Sequence, residues 1–174
     1  MYAEEGDQPV LQPGLFAGQT VKVAGGGAGL GRGTAHELAS RGAKVLITGR
    51  RQEKLDKVIA EILEDGGTVA SYAFDIREED VVKANIKQML AEHGPIHGLV
   101  NNAGGQYPMP LAMIGKKGWD AVVASNLTGG FLMARELDNQ HMKKSGGSNG
   151  KMNAGQGAGM PGMGEGRGAG RGGV

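Results

Sequence analysis

The chain has 174 residues, with 19 lysines and arginines against 18 acids and a net charge of +1. That balance gives no electrostatic ground for binding nucleic acid or an anionic membrane surface, so neither is expected as a partner. There is no cysteine, which excludes disulfides, thiolate catalysis and cysteine-ligated zinc.

The lead-in, residues 1–18, is punctuated by Pro9 and Pro13 and reads as irregular. It begins Met1-Tyr2-Ala3-Glu4-Glu5-Gly6-Asp7, acidic and without the apolar core of a signal peptide. No apolar run along the chain approaches the roughly 20 residues that span a bilayer, so a soluble, cytoplasmic protein is expected.

A short strand follows over Thr20 to Ala24 and runs into Gly25-Gly26-Gly27-Ala28-Gly29-Leu30-Gly31. Glycines there turn the backbone sharply at positive φ and let it approach a phosphate, and the helix behind aims its free N–H groups at that anion. In a chain with 34 glycines such a cluster also reads as a flexible loop. Its place between a strand and a helix favours the phosphate reading. The helix after it carries Leu30, Thr34, Leu38 and Ala39 on one face and stops near Gly42.

Lys44 to Thr48 reads as a buried strand ending at Gly49-Arg50-Arg51. The next helix places Leu55, Val58, Ile59, Ile62 and Leu63 at helical spacing, and Gly66-Gly67 end it. Thr68 to Phe74 is a third strand, closing at Asp75-Ile76. Glu78, Glu79 and Asp80 favour the start of a third helix, whose apolar face is Val82, Ile86, Met89 and Leu90 and whose end is Gly94-Pro95. Ile96 to Val100 is a fourth strand running into Asn101-Asn102-Ala103-Gly104-Gly105. A fourth helix covers part of Lys116 to Ala124, and a long fifth runs from about Asn126 to Lys143.

Strands and helices alternating at this spacing predict an α/β fold, a Rossmann-like doubly wound parallel sheet that is incomplete in its C-terminal half. The expected dinucleotide-binding domain is 19–144. From Gly146 to Val174, 13 of 29 residues are glycine, and nothing in the tail 145–174 reads as strand or helix.

In order and spacing these pieces resemble the short-chain dehydrogenase/reductase family over about Leu15 to Ser148. The family's Thr-Gly-x-x-x-Gly-x-Gly is matched by Ala24-Gly25-Gly26-Gly27-Ala28-Gly29-Leu30-Gly31, with alanine in place of threonine. Asp75-Ile76 stands where the family holds the adenine, and Asn101-Asn102-Ala103-Gly104 matches its Asn-Asn-Ala-Gly. Asn126 matches the asparagine of its catalytic group. Each has a plainer counterpart, since Asp75 could cap a helix and Asn101 and Asn102 could cap a strand end.

The resemblance implies an NADP-dependent oxidoreductase acting on an enoyl-CoA, an aldehyde or ketone, or an alcohol. Gly25, Gly29, Leu30, Gly31, Arg32, Arg50, Asp75, Ile76, Asn102, Ala103 and Gly104 would hold the cofactor, and Asn126 would serve catalysis. At the end of the second strand a carboxylate would bind a ribose 2′-hydroxyl and mark NAD. That place reads Gly49-Arg50-Arg51, and with Arg32 the guanidinium groups would pair with a 2′-phosphate, so NADP is expected over NAD. Around Asn101 to Pro108 and Gly129 to Arg135 the sequence resembles the branch containing peroxisomal trans-2-enoyl-CoA reductase and bacterial citronellol-type dehydrogenases. The family pairs subunits through its fifth helix, which raises a homo-oligomer through the helix 126–143.

The family's reaction also needs a tyrosine acid/base with a lysine four residues later. None of Tyr2, Tyr72 and Tyr107 is followed by lysine at that spacing. Tyr107 falls near the expected substrate region, as a substitute acid or as a packed side chain. Where the family's serine-bearing strand is expected, Asn149-Gly150-Lys151-Met152-Asn153-Ala154 replaces a β-branched run, and Ser148 precedes it. Gly159 to Gly164 resembles the branch again. The alternative is therefore a non-catalytic NADP-binding protein or a truncated fragment, inactive alone and exposing a sheet edge at strand four. His36, His93, His97 and His141 lack metal-ligand spacing and are expected on helix surfaces or ends.

Overall fold

The computed structural model describes residues 12–142 and 148–150. Residues 1–11 of the lead-in, with Tyr2, and the segment Gly159 to Gly164 lie outside the described residues. The described chain forms β1 (Thr20–Ala24), α1 (Gly29–Ser40), β2 (Lys44–Gly49), α2 (Gln52–Glu64), β3 (Thr68–Ala73), α3 (Glu79–His93) and β4 (Gly98–Asn101). A 3₁₀ turn (Leu111–Met113), α4 (Lys116–Val123), α5 (Gly129–Leu137) and β5 (Ser148–Gly150) follow.

All strand pairs are parallel, in the order β3-β2-β1-β4-β5. A parallel neighbour needs a crossover, and each helix supplies one. Residues alternate between the two faces of the sheet. Val21, Val23, Val45 and Ile47 pack with Ala35, Ala39, Leu55, Val58 and Ile62 from α1 and α2. Leu46, Tyr72 and Leu99 pack on the other face with Val82, Ile86 and Met89 of α3 and Leu132, Met133 and Leu137 of α5. Both faces are covered, which is the doubly wound α/β arrangement. The strand order reverses between β1 and β4, the switch point where open α/β sheets leave a crevice at their carboxyl ends.

Four details correct the sequence reading. The buried face of α1 is Gly31, Ala35 and Ala39, while Leu30 is 81% exposed. Small residues let α1 lie close against β1 and the turn before it, so the stripe is rotated by one residue. The fourth and fifth helices are also not separate. α4 passes through a π-helical stretch (Ala124–Thr128) into α5, and a second π stretch (Asp138–Met142) follows. Backbone angles stay in the right-handed helical region at the junctions, so no break occurs at Ser125-Asn126. The tail is not wholly without structure: β5 pairs with β4 from Gly98↔Ser148 to Val100↔Gly150 and covers that edge. Backbone pairing needs no side-chain pattern, which is why Ser-Asn-Gly gives no strand signal. Finally, His97 lies between α3 and β4, where its Nδ1 accepts the Thr20 N–H at 3.0 Å.

Lys22 lies in the strand that the sequence places over Thr20 to Ala24. It is fully buried in β1, its Nζ donates to Thr48 Oγ1 at 3.1 Å, and it sits 5.7 Å from the Phe74 ring centroid. Burial pushes its pKa down to about 7. Among the described residues no helix is long and apolar enough to cross a membrane.

Candidate functional site

At the carboxyl ends of β1 to β4 lies a cavity of about 370 Å³. Its floor is the turn after β1, with Gly25, Gly27 and Ala28, beside Thr48 and Gly49 at the end of β2. Gly25 has φ +77°, and a Cβ there would come within 2.8 Å of Ala103 Cα. Only glycine serves there. The Gly25 and Gly26 N–H groups both donate to Thr48 O, at 2.8 and 3.0 Å, which ties the turn to β2. Asn102 Nδ2 donates to Gly25 O at 3.2 Å and ties it to the loop after β4. Gly31, in the first turn of α1, faces the same carbonyl and the Asn102 amide so closely that a Cβ would collide with both. Gly29, at φ +54°, opens α1, whose N-cap Ala28 makes no side-chain cap. The first α1 amides therefore lack a side-chain acceptor, and the turn that precedes them lines the cavity.

One wall is cationic. Arg50, Arg51 and Lys54 line it from the end of β2 and the start of α2. Arg51 stands 4.0 Å from Glu53, and both side chains are largely exposed. Asp75, Ile76 and Arg77 follow β3 along the same wall. Asp75 is the only carboxylate among the described residues that line the cavity, and Arg77 holds both its oxygens: Nε donates at 2.9 and 3.0 Å, and Nη2 donates to Oδ2 at 2.5 Å. The Arg77 guanidinium, helped by the Arg77 N–H and the charge of Arg50, holds the Asp75 carboxyl below the usual carboxylate range against the opposing effect of burial.

The opposite wall is the loop after β4, Ala103 to Tyr107, with Ala121, Val122 and Ser125. Asn126 does not line the cavity. Its amide braces that loop, with Oδ1 accepting the Gly105 N–H and Nδ2 donating to Gly105 O, both at 2.8 Å. The π-helical stretch gives the helix an extra residue per turn and sets Asn126 against the loop. Tyr107 lines the cavity, and its ring lies on Gly118, where a Cβ would be 2.8 Å from the ring.

Of the residues singled out from sequence, Gly25, Arg50, Asp75, Ile76, Ala103 and Gly104 meet at the cavity. Gly29, Gly31 and Asn102 stand behind it and shape the turn. Leu30 points to solvent, and Arg32 turns away to donate from Nε to Glu61 Oε2 at 2.7 Å on α2. Neither reaches the cavity, because the first turn of α1 carries positions 30 and 32 to its outer side. Tyr72 is also remote. Its hydroxyl donates to Glu92 Oε2 at 2.5 Å and meets His93 Nε2 at 2.7 Å, and burial with the Glu92 charge raises its pKa far above that of a free phenol. Sequence reasoning missed Lys54 and Arg77. Arg77 had a local signal, the Asp-x-Arg spacing in which Asp75 Oδ1 accepts the Arg77 N–H at 3.0 Å as an Asx turn.

Glycine backbone, excess positive charge and one acid beside an apolar Ile76 and Leu55 suit a dinucleotide: amides and cations for phosphates, an acceptor and an apolar wall for adenine. A family model described as short chain dehydrogenase matches residues 19–157. A probable 2,4-dienoyl-CoA reductase of Bacillus subtilis is 32% identical over 117 residues, covering 67% of this chain and 46% of that protein. The solved structure of a citronellol catabolism dehydrogenase of Pseudomonas aeruginosa superposes with a TM-score of 0.80 at 56% identity, covering 88% of this chain and 63% of that one. A metagenomic short-chain oxidoreductase solved in complex with NADP has a TM-score of 0.72 at 36% identity, covering 78% of this chain and 62% of that one. The chain spans about half the length of the curated relatives it matches.

Proposed function

The chain belongs to the short-chain dehydrogenase family, and on that premise we propose that it forms the cofactor-binding part of an NADP-dependent oxidoreductase. The observation that carries this is the cationic wall at the end of β2, where Arg50 and Arg51 stand in place of a ribose-binding carboxylate. In this reading Gly25, Gly29 and Gly31 shape the diphosphate turn, and Arg50 with Arg51 takes the 2′-phosphate. Asp75 and Ile76 receive the adenine, and Asn102, Ala103 and Gly104 back the nicotinamide half. Asn126 acts by bracing the loop over that half. When bound, the nicotinamide supplies or accepts a hydride. The likeness to a dienoyl-CoA reductase and a citronellol catabolism dehydrogenase supports an enoyl-CoA, a carbonyl compound or an alcohol as substrate.

A second reading is NADP binding without turnover. Titration calorimetry with NADPH and NADH tests the shared premise. NADPH is expected to bind about tenfold tighter, the worth of one charge-assisted pair, and Arg50→Ala to remove most of that difference. Equal affinities would refute the NADP assignment, and a difference that survives Arg50→Ala would refute the part given to Arg50. Oxidation of NADPH with an enoyl-CoA or an aldehyde then separates the two readings.

On the surface, Trp119, Leu127 and Phe131 are each more than half exposed and recur at one- and two-turn spacing along the continuous α4–α5 helix. That stripe supports pairing of two chains through the helix 126–143.

A further inference from the structure

Among the described residues, four cations and one acid line the cavity wall: Arg50, Arg51, Lys54 and Arg77 against Asp75. An unneutralised carboxylate in that position works against a phosphorylated ligand in two ways. It repels the phosphate directly, and it competes for the guanidinium that should bind it. Asp75 is near enough to Arg50 for the Arg50 charge to be felt at its carboxyl. Yet the contacts to Asp75 come from Arg77, through three side-chain hydrogen bonds and one from the backbone. The backbone bond fixes the turn after β3, and that turn returns the Arg77 guanidinium onto the acid two residues before it.

We propose that Arg77 is a specificity-determining positioning residue: by holding both oxygens of Asp75 it keeps the single wall acid off Arg50 and leaves Arg50 to pair with the 2′-phosphate. The Arg77 Nε–H is shared between both oxygens, so three N–H donors occupy a carboxylate with about four acceptor positions, which leaves Asp75 room for an adenine amino group. The pair is part-exposed, with side chains 40% and 23% accessible. Such pairs add little to folding. Removing Arg77 therefore reads out at the ligand and not at the fold. The inference rests on the NADP reading above and deepens it.

The test is calorimetric titration of the full chain, unmodified and as Arg77→Leu, with NADPH and with NADH, alongside thermal melting. Arg77→Leu is expected to weaken NADPH about tenfold while NADH changes less than about twofold and the melting temperature holds. Adding Asp75→Asn to Arg77→Leu is expected to restore discrimination, because the freed charge is then gone. A purely structural role for Arg77 predicts equal loss of both cofactors and no rescue, and that result would overturn the proposal. So would an unchanged NADPH affinity. Should Arg77→Leu melt early, Arg77→Gln, which keeps a donor without the charge, reads the same ratio. Binding of neither cofactor to the unmodified chain would sink the NADP reading and this inference with it, whereas NADPH preference insensitive to Arg77 sinks the inference alone.

Discussion

Lys22 shows how one residue can oppose the fold it belongs to. A lysine between Val21 and Val23 is buried on the α3/α5 side of the sheet with a hydroxyl and an aromatic face as partners and, among the described residues, no carboxylate. Burial disfavours the charged form, so its pKa drops from 10.5 to about 7. Between those values the unfolded chain holds the Lys22 proton and the folded chain does not. Stability therefore falls as pH is lowered through that window and levels off below about 7. Lys22→Met is expected to stabilise the protein at neutral pH by on the order of a few kcal/mol and to remove that slope. Denaturant melts at pH 7 and 9 check both; a destabilised Lys22→Met would mean that the amine holds the β1–β2 contact together. Lys22 is legible as a strand residue but not as a buried one, because side-chain alternation assigns a face and not its depth.

Between residues and the whole stand the turns and helix junctions. The Gly25–Gly31 turn was readable because close backbone approach leaves a glycine spacing in the sequence. The α4–α5 junction was not, because a π stretch has no residue signature of its own and helical backbone continues through it. That stretch sets Asn126 against Gly105, a contact that its place in the sequence did not reveal. Asn126→Ala removes two 2.8 Å hydrogen bonds and is expected to cost about 1–2 kcal/mol. Its sharper readout is hydrogen exchange at the Gly105 amide, which should speed up while amides of β1 and β2 stay protected. Unchanged exchange at Gly105 would show that the loop is held by other contacts.

For the whole molecule, burial decides what remains for partners. The sheet is covered on both faces, while the α4–α5 stripe of Trp119, Leu127 and Phe131 is left in solvent. If two chains pair there, sedimentation equilibrium gives a dimer, and Phe131→Glu gives a monomer by placing a charge in an apolar contact. A monomer before mutation would discard this interface. The same scale explains the cationic wall: Arg50, Lys54 and Arg77 belong to β2, α2 and the turn after β3, and only the parallel pairing of β2 with β3 sets them around one cavity.

Sequence by itself determined the alternation of strands and helices, the glycine turn and the missing carboxylate after β2, because periodicity, backbone freedom and charge are local properties. Tertiary structure decided that Arg32 turns to Glu61 while Arg77 turns to Asp75, that Lys22 is buried, and that Ser148–Gly150 completes the β4 edge. These depend on which distant groups a fold brings within hydrogen-bonding reach, and a charge shows its partner only once the chain has closed around it.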